Sequence, residues 1–355
     1  MSRFFSEKFS ALSPYTPGEQ PQDMEYIKLN TNESPFPPPA SVAEAVKKEG
    51  ERLHLYSDPE VKVLLEKAAQ TWGVKKTQLL FTNGSDEILN FAFMAFCDET
   101  HPIVFADITY GFYPVFAKLN GIPYEILPLK EDFSIDYREY VGIGKNIVIA
   151  NPNAPTGMAL TRKEIEEIVA SNPNNVVIID EAYVDFGGES CVPLVDKYEN
   201  LLVTQTFSKS RSLAGGRLGL GIGSEKLIAD LNTIKYSTNP YNVNRMTMAA
   251  GYAALCEEKW FQDNCAEICR VREFTSEALE KLGFEVLPSK TNFLFAKSEK
   301  IGGQALYERL KARGVLVRHF TGERIKEFNR ITIGTQAQME IFLAKVQEIL
   351  KEQDE

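Results

Sequence analysis

NIVIANPNAPTGMALTRKEIEEIVASNPNNVVIID, residues 146–180, reads as a strand, a helix and a second strand. The runs IVIAN (147–151) and VVIID (176–180) are apolar until a polar residue closes each one. Continuous apolar runs suit strands covered on both faces, as in a parallel sheet. A helix over 162–170 connects them, and strands that alternate with helices imply an α/β architecture. The alternation extends upstream: helix 60–72, strand 79–82, a turn that becomes a helix over 83–96, strand 102–107, helix 112–119 and strand 122–129. Downstream come strands 200–207 and 218–224, helix 225–235 and a long helical region from about 244 to 281. The rest reads as strands FEVLP (284–288), NFLFAK (292–297), VLVRHF (315–320) and RITIG (330–334), with helices over 302–314 and 338–353. The expected architecture is a large domain with a mostly parallel sheet and a small C-terminal α+β domain. Residues 1–30 form an arm that joins the small domain, 31–255 the large domain and 256–355 the small one.

Composition narrows the function. The chain has 355 residues, 44% of them hydrophobic, enough for a sizeable core. No apolar stretch approaches the roughly 20 residues of a membrane-spanning helix. The first residues, MSRFFSEKFSALSPYTPGEQ, lack the apolar run of a secretory signal. A net charge of −10 argues against nucleic acid, which is held by clustered Lys and Arg. Cys97, Cys191, Cys256, Cys265 and Cys269 are odd in number and scattered, which fits a reducing cytoplasm rather than a disulfide framework. Cys265 and Cys269 lie one helical turn apart, but none of the three histidines is near them in sequence, so no metal site is expected.

Ligands of open α/β sheets sit beyond the carboxyl ends of the strands. Five such ends are polar here: TNGSDE (82–87), NPNAPTG (151–157), DEAY (180–183), TFSKS (206–210) and the following GGRLG (215–219). Lys209 lies between two serines just past a buried strand, a position from which a lysine could become a Schiff-base nucleophile. Asp180 ends an apolar strand and needs a partner there. Pyridoxal 5'-phosphate (PLP) requires such an acid beside its pyridine nitrogen. Tyr183, three residues on, is placed to meet the cofactor's phenolate oxygen. Gly84, Ser85 and Asp86 mark a helix N-terminus, whose free N–H groups bind phosphate. Ser208 adds a hydroxyl, Arg217 a charged fork and Tyr110 a ring to stack on the pyridine. Each residue also has a structural reading: Lys209 a loop lysine, Asp180 a cap or ion pair, Ser85 and Asp86 helix caps, Tyr110 core.

Together, TNGSDEI, NPNAPTG, IIDEAYVDF, TFSKSRSLAGGRLG and RITIG resemble the class-II, fold-type-I PLP-dependent aminotransferases. KLNTNESPFPPP (28–39), YSDPE (56–60), TNGSDEIL (82–89) and GVLVRHF (314–320) are similar to the branch that acts on histidinol phosphate. The resemblance spans about residues 10 to 345. It implies Lys209 as the lysine that holds PLP, Asp180 and Tyr183 as the partners of the pyridine nitrogen and phenolate oxygen, and Tyr110 as the stacking ring. It implies Ser85, Asp86, Ser208 and Arg217 around the phosphate, and Tyr56 reaching the neighbouring subunit's phosphate in a homodimer with shared sites. Arg330 and Arg318 are implied at the substrate's anionic end, Tyr15 at an imidazole pocket, and Asn30 and Asn292 near the substrate. Three positions depart from the pattern. Ala154 stands where the family has the asparagine that bonds the phenolate oxygen; the nearest amide is Asn153, and either Asn153 takes over that cofactor contact or the contact is lost. Gln205 replaces an arginine, and Arg211-Ser212 replaces a Phe-Gly or similar pair.

The activity implied is ping-pong transamination between L-histidinol phosphate and 2-oxoglutarate, giving imidazole acetol phosphate and L-glutamate in histidine biosynthesis. Aromatic-amino-acid aminotransferase and threonine-phosphate decarboxylase activities share the fold and compete. A non-catalytic PLP-binding sensor lacks its expected basic DNA-binding module here. A dinucleotide-dependent dehydrogenase would rest on GLGIGS (219–224) alone, which does not follow the first strand of a βαβ unit.

Overall fold

Each apolar run of the alternating region becomes a buried strand. The structure is a computed structural model that describes residues 2–10, 12 and 15–354. A short strand β1 (Ile27–Lys28) and helices α1 (Ala40–Gly50) and α2 (Lys62–Trp72) come first. Then follow β2 (Leu79–Thr82), α3 (Ser85–Phe96), β3 (Ile103–Ala106), α4 (Tyr113–Asn120), β4 (Tyr124–Leu127), β5 (Asn146–Ala150), α5 (Arg162–Ser171), β6 (Val177–Asp180), β7 (Leu201–Thr206) and β8 (Gly219–Gly223). These strands make a seven-stranded sheet in the order β2-β8-β7-β6-β5-β3-β4. The run from β4 to β7 is parallel, and β8 is antiparallel to both β7 and β2. Successive side chains leave a strand on opposite faces. Ile147, Ile149, Val177, Ile179 and Val203 therefore pack on one face with α5. Val148, Ile178 and Leu202 pack on the other with Ile88, Leu89 and Phe93 of α3.

Helix α6 (Glu225–Thr238) follows β8, and the long helical region after it is two helices, α7 (Arg245–Cys256) and α8 (Glu258–Lys281), separated at Glu257. Helix α7 packs on α1 and α2, whereas α8 packs on β9 (Phe284–Val286) and α10 (Gln336–Asp354). Between those two lie β10 (Phe293–Ser298), α9 (Gly303–Ala312), β11 (Val315–Leu316), β12 (Arg318–His319) and β13 (Asn329–Thr332). A second, antiparallel sheet has the order β12-β13-β10-β9.

Further details differ from the sequence reading. VLVRHF is two short strands rather than one: β11 pairs in parallel with β1, and β12 pairs with β13. Helix α1 was not expected, because only Val42 of its 11 residues is buried and its apolar signal is weak. No helix among the described residues is long and apolar enough to cross a membrane.

The two sheets face each other across the carboxyl ends of the parallel strands. Ala106, Leu129 and Phe133 from one side share a core with Phe295, Ile325 and Phe328 from the other. Arg324 reaches across to Asp107 at 2.8 Å and to the carbonyls of Leu129 and Lys130. The loops that end β5, β6 and β7 are thus held opposite β12 and β13.

Candidate active site

A cleft between the two sheets has two chambers that meet at Lys209. The first, about 400 Å³, is lined by Ser85, Asp86, Tyr110, Asp180, Ser208 and Arg217. The second, about 420 Å³, is lined by Tyr15, Asn30, Phe320, Arg318 and Arg330. Thr31, Tyr110, Ala154, Tyr183 and Lys209 line both. Lys209 Nζ donates to the Thr31 carbonyl at 3.3 Å and lies 5.8 Å from the centre of the Tyr183 ring. A larger cavity, about 630 Å³ between α2, β2 and α6, contains none of these residues.

Asp180 is the last residue of β6, in register with Ala150 and Thr204 on the flanking strands. It is buried at the floor of the first chamber. Tyr113 Oη donates to its Oδ2 at 2.9 Å and Thr204 Oγ1 to its Oδ1 at 3.2 Å. No cation among the described residues pairs with it, and burial pushes its carboxyl up to about 6 despite those donors. Its folded value lies above the ordinary 3.8, so the folded protein retains a proton that the unfolded chain has released. The cost of burying the charge is absent below about pH 4 and complete above about pH 6. Replacing Asp180 with Asn removes that slope. Between pH 4 and pH 7, cofactor-free Asp180→Asn protein is expected to gain up to about 3 kcal/mol on the parent, by denaturant titration at each pH.

The neighbouring Glu181 points to the opposite side of the sheet. Burial pushes its carboxyl up to about 7, and it accepts from Gln205 Nε2 at 2.8 Å and from Ser190 Oγ at 2.7 Å. Gln205 Oε1 also accepts from Trp72 Nε1 at 2.9 Å, so the amide that departs from the family pattern satisfies the buried Glu181 and the half-buried Trp72. Arg211 is buried away from the cleft, with its guanidinium 3.9 Å from the Phe261 ring centre and donating to the Ala254 carbonyl.

At the far end of the first chamber, Gly84 precedes α3 with φ +79°. Helix α3 presents its first-turn N–H groups there. A Cβ on Gly84 would come within 2.5 Å of Arg217 Nη2. A Cβ on Gly219 would lie 2.4 Å from the Gly84–Ser85 peptide, so that glycine lets β8 lie against the turn. Arg217 pairs with Asp86 at 3.0 Å, and Tyr110 Oη donates to the other Asp86 oxygen at 2.7 Å. Ser208 Oγ accepts from Thr206 Oγ1 at 2.9 Å.

The second chamber is cationic. Arg330 Nη2 donates to the Asn30 carbonyl at 3.0 Å, and the guanidinium lies 5.3 Å and 5.7 Å from the ring centres of Phe293 and Phe320. Its Nε is sealed from solvent with no partner among the described residues, and burial pulls its pKa down. Among the described residues Arg318 donates to the carbonyls of Thr16 and Pro17. Among the described residues neither arginine pairs with a carboxylate. Tyr15 stacks near Phe112, ring centres 4.5 Å apart, and lies against Gly111. Asn30 donates to the Glu19 carbonyl, and its buried Oδ1 has no partner among the described residues.

Three expected residues lie outside this cleft. Asn153 is a correction: its Oδ1 accepts from Thr109 Oγ1, its Nδ2 donates to Ile108 O and Thr156 Oγ1, and it borders a small cavity behind the loop. Pro152 and Ala154 face the cleft instead, and the Asn151-Pro152 and Ala154-Pro155 bonds are cis. Asn292 is a second correction: it is fully buried and donates to the Asn32 carbonyl at 3.0 Å, beneath the second chamber rather than on its wall. Tyr56 is 80% exposed and stacks on Tyr241, away from the cleft of its own chain.

Two residues join the site unannounced. Asn32 Nδ2 donates to Tyr183 Oη at 2.8 Å while its Oδ1 accepts from Thr332. Tyr113 holds Asp180. Asn32 sits inside the motif KLNTNESPFPPP already singled out, and Tyr113 lies three residues beyond Tyr110 in ITYGFY (108–113), but only three-dimensional contact distinguishes them from their neighbours.

The chain matches the family Aminotransferase class I and II over residues 24–346. It is 47% identical over 353 residues to the histidinol-phosphate aminotransferase of Brachyspira hyodysenteriae, covering 99% of this chain and 100% of that protein. The histidinol-phosphate aminotransferase from Sinorhizobium meliloti, solved in complex with pyridoxal-5'-phosphate, is similar with a TM-score of 0.89 at 20% identity over 99% of each chain. The L-threonine-O-3-phosphate decarboxylase from Porphyromonas gingivalis is similar with a TM-score of 0.80 at 21% identity, over 92% of this chain and 99% of that one. At such identities the two structures speak for the fold alone.

Proposed function

Because the chain belongs to the class I and II aminotransferases, we propose that its cleft holds PLP in the first chamber and transaminates between L-histidinol phosphate and 2-oxoglutarate. The products are imidazole acetol phosphate and L-glutamate. The donor set fits the cofactor. A helix N-terminus, Ser208 and Arg217 suit its phosphate, and the buried carboxylate of Asp180 in the same chamber suits its pyridine nitrogen. When bound, PLP supplies a carbonyl that takes up an amino group and a ring that accepts the electrons left on carbon.

The residues divide the remaining work. Asp180 would hold a proton on the ring nitrogen, Tyr183, steadied by Asn32, would serve the ring hydroxyl, and Tyr110 would supply an aromatic wall for the ring. Lys209 Nζ, at the junction of the chambers, would hold the cofactor and, as a free amine, would carry the proton from the substrate's α-carbon to the cofactor's C4′ carbon. Arg330 and Arg318 grip the phosphate of histidinol phosphate in one half-reaction and a carboxylate of glutamate or 2-oxoglutarate in the other. Tyr15 and Asn30 line the space left for the imidazole.

The observation that carries this reading is the pair of arginines with no carboxylate partner among the described residues, opening onto the lysine from the side opposite the phosphate-binding turn. Product analysis with histidinol phosphate and 2-oxoglutarate tests it. Glutamate formed without carbon dioxide supports transamination. Carbon dioxide released from threonine phosphate would favour the decarboxylase, turnover only with aromatic amino acids the aromatic aminotransferase, and binding without turnover the sensor.

A homodimer with shared sites completes the proposal. Leu53, Leu55, Tyr56, Val63, Tyr241 and Tyr252 are all exposed, and a surface of this kind is suited to a second copy. Tyr56 of each chain then serves its neighbour's phosphate. Tyr56→Phe is expected to weaken PLP binding about tenfold in equilibrium dialysis, while sedimentation still reports a dimer. The break at Glu257 and the β1–β11 pairing support residues 31–255 as the cofactor unit, with 1–30 and 256–355 forming the unit opposite. Five cysteines without disulfides fit a cytoplasmic setting.

A further inference from the structure

We propose that Tyr113 is a positioning residue of the cofactor site, one that keeps the proton shared by Asp180 and the cofactor's ring nitrogen on the nitrogen. The inference rests on the PLP reading given above. Tyr113 begins α4 and is completely buried. Its ring lies edge-on to Tyr110, with centres 5.6 Å apart and planes at 82°, and 5.9 Å from Phe105. Its hydroxyl makes one hydrogen bond among the described residues, to Asp180 Oδ2 at 2.9 Å. Burial and the nearby carboxylate push the phenol's pKa well up, so the group stays an O–H donor. Tyr113 therefore touches both the aromatic wall and the acid. Through Tyr110 and Asp86 the same contacts run on to Arg217 at the other end of the chamber.

A phenylalanine would fill nearly the same volume, so packing alone does not account for the hydroxyl. Its chemical consequence falls on Asp180. A carboxylate that accepts fewer hydrogen bonds is more basic. The groups that face Asp180 are Thr204 from β7, the backbone N–H of Ala182 and the negative charge of Asp86 from α3. Tyr110, Tyr183 and Lys209 line the same chamber. Only the three donors hold the carboxylate's basicity down, and Asp86 works against them. Without the Tyr113 donor the shared proton moves toward Asp180. The ring then carries less positive charge and accepts electrons less readily.

The test uses the PLP-loaded protein with Tyr113→Phe. The absorbance band of PLP attached to Lys209 is titrated with pH, and PLP content is measured alongside. Less positive charge on the ring makes the attached nitrogen easier to protonate. The midpoint is therefore expected to rise by about one pH unit, a tenfold change in proton affinity. PLP content should stay at one per chain, and kcat should fall about tenfold with KM little changed. A fluorinated tyrosine at position 113, a stronger donor of almost the same shape, should move the midpoint down, and it decides the matter if the phenylalanine variant does not fold. A midpoint that stays put when the donor is altered would make Tyr113 a packing residue and overturn the proposal. Unaltered protein without any such band would instead sink the PLP reading itself.

Discussion

Lys209→Ala is expected to lower kcat/KM by about 10,000-fold and to end covalent retention of PLP. The reasoning follows from position. Among the described residues Lys209 is the one lysine lining either chamber, and both chambers meet at it. Its removal takes away the nucleophile that holds the cofactor and the base that moves the α-proton. Acid–base contributions alone reach about 10,000-fold. Arginine at this position would keep the charge and still fail, because a guanidinium neither attacks a carbonyl nor gives up its proton near neutral pH. Borohydride reduction and peptide mass analysis check the result. The parent should carry the cofactor on the Lys209 peptide, and the variant on none. A variant that keeps an unchanged cofactor absorbance would refute the assignment of the lysine.

Arg330→Ala is expected to lower kcat/KM about 100-fold for histidinol phosphate and for glutamate alike. A hydrogen bond to a charged group contributes about 1.5–3 kcal/mol, and the fork makes two. Arg330 is held between Phe293 and Phe320 with its Nε sealed in, so its orientation is set before a ligand arrives. Lysine should not restore activity, since it offers neither the fork nor the stacking. Steady-state kinetics on each half-reaction checks this. A loss confined to glutamate would mean that the phosphate and the carboxylate are gripped at different places.

The large sheet was legible because its strands declare themselves. IVIA and VIID are buried on both faces and show no alternation to confuse them with an edge. Polar residues at their ends stand out for the same reason, which is why Asp180, Tyr183, Lys209 and Arg217 could be named from the sequence and then meet in one cleft. Elements with little burial were harder. Helix α1 buries one residue, and VLVRHF splits because Val315 and Leu316 join β1 while Arg318 turns to β13. The direction of Asn153 was not legible, because adjacency to a departed asparagine says nothing of direction. One residue along the loop reverses the side chain, and the amide finds Thr109, Ile108 and Thr156 instead. Tyr113 escaped notice for the complementary reason: two tyrosines in ITYGFY look alike until one is seen to bond Asp86 and the other Asp180.

The most direct measurement is a single half-reaction. Purified protein loaded with PLP is mixed with histidinol phosphate and no acceptor, and the cofactor's absorbance is followed. The account predicts conversion of the cofactor to its amine form, one imidazole acetol phosphate released per site, and reversal when 2-oxoglutarate is added. A spectrum that histidinol phosphate leaves untouched, while another amine converts it, would contradict the substrate assignment.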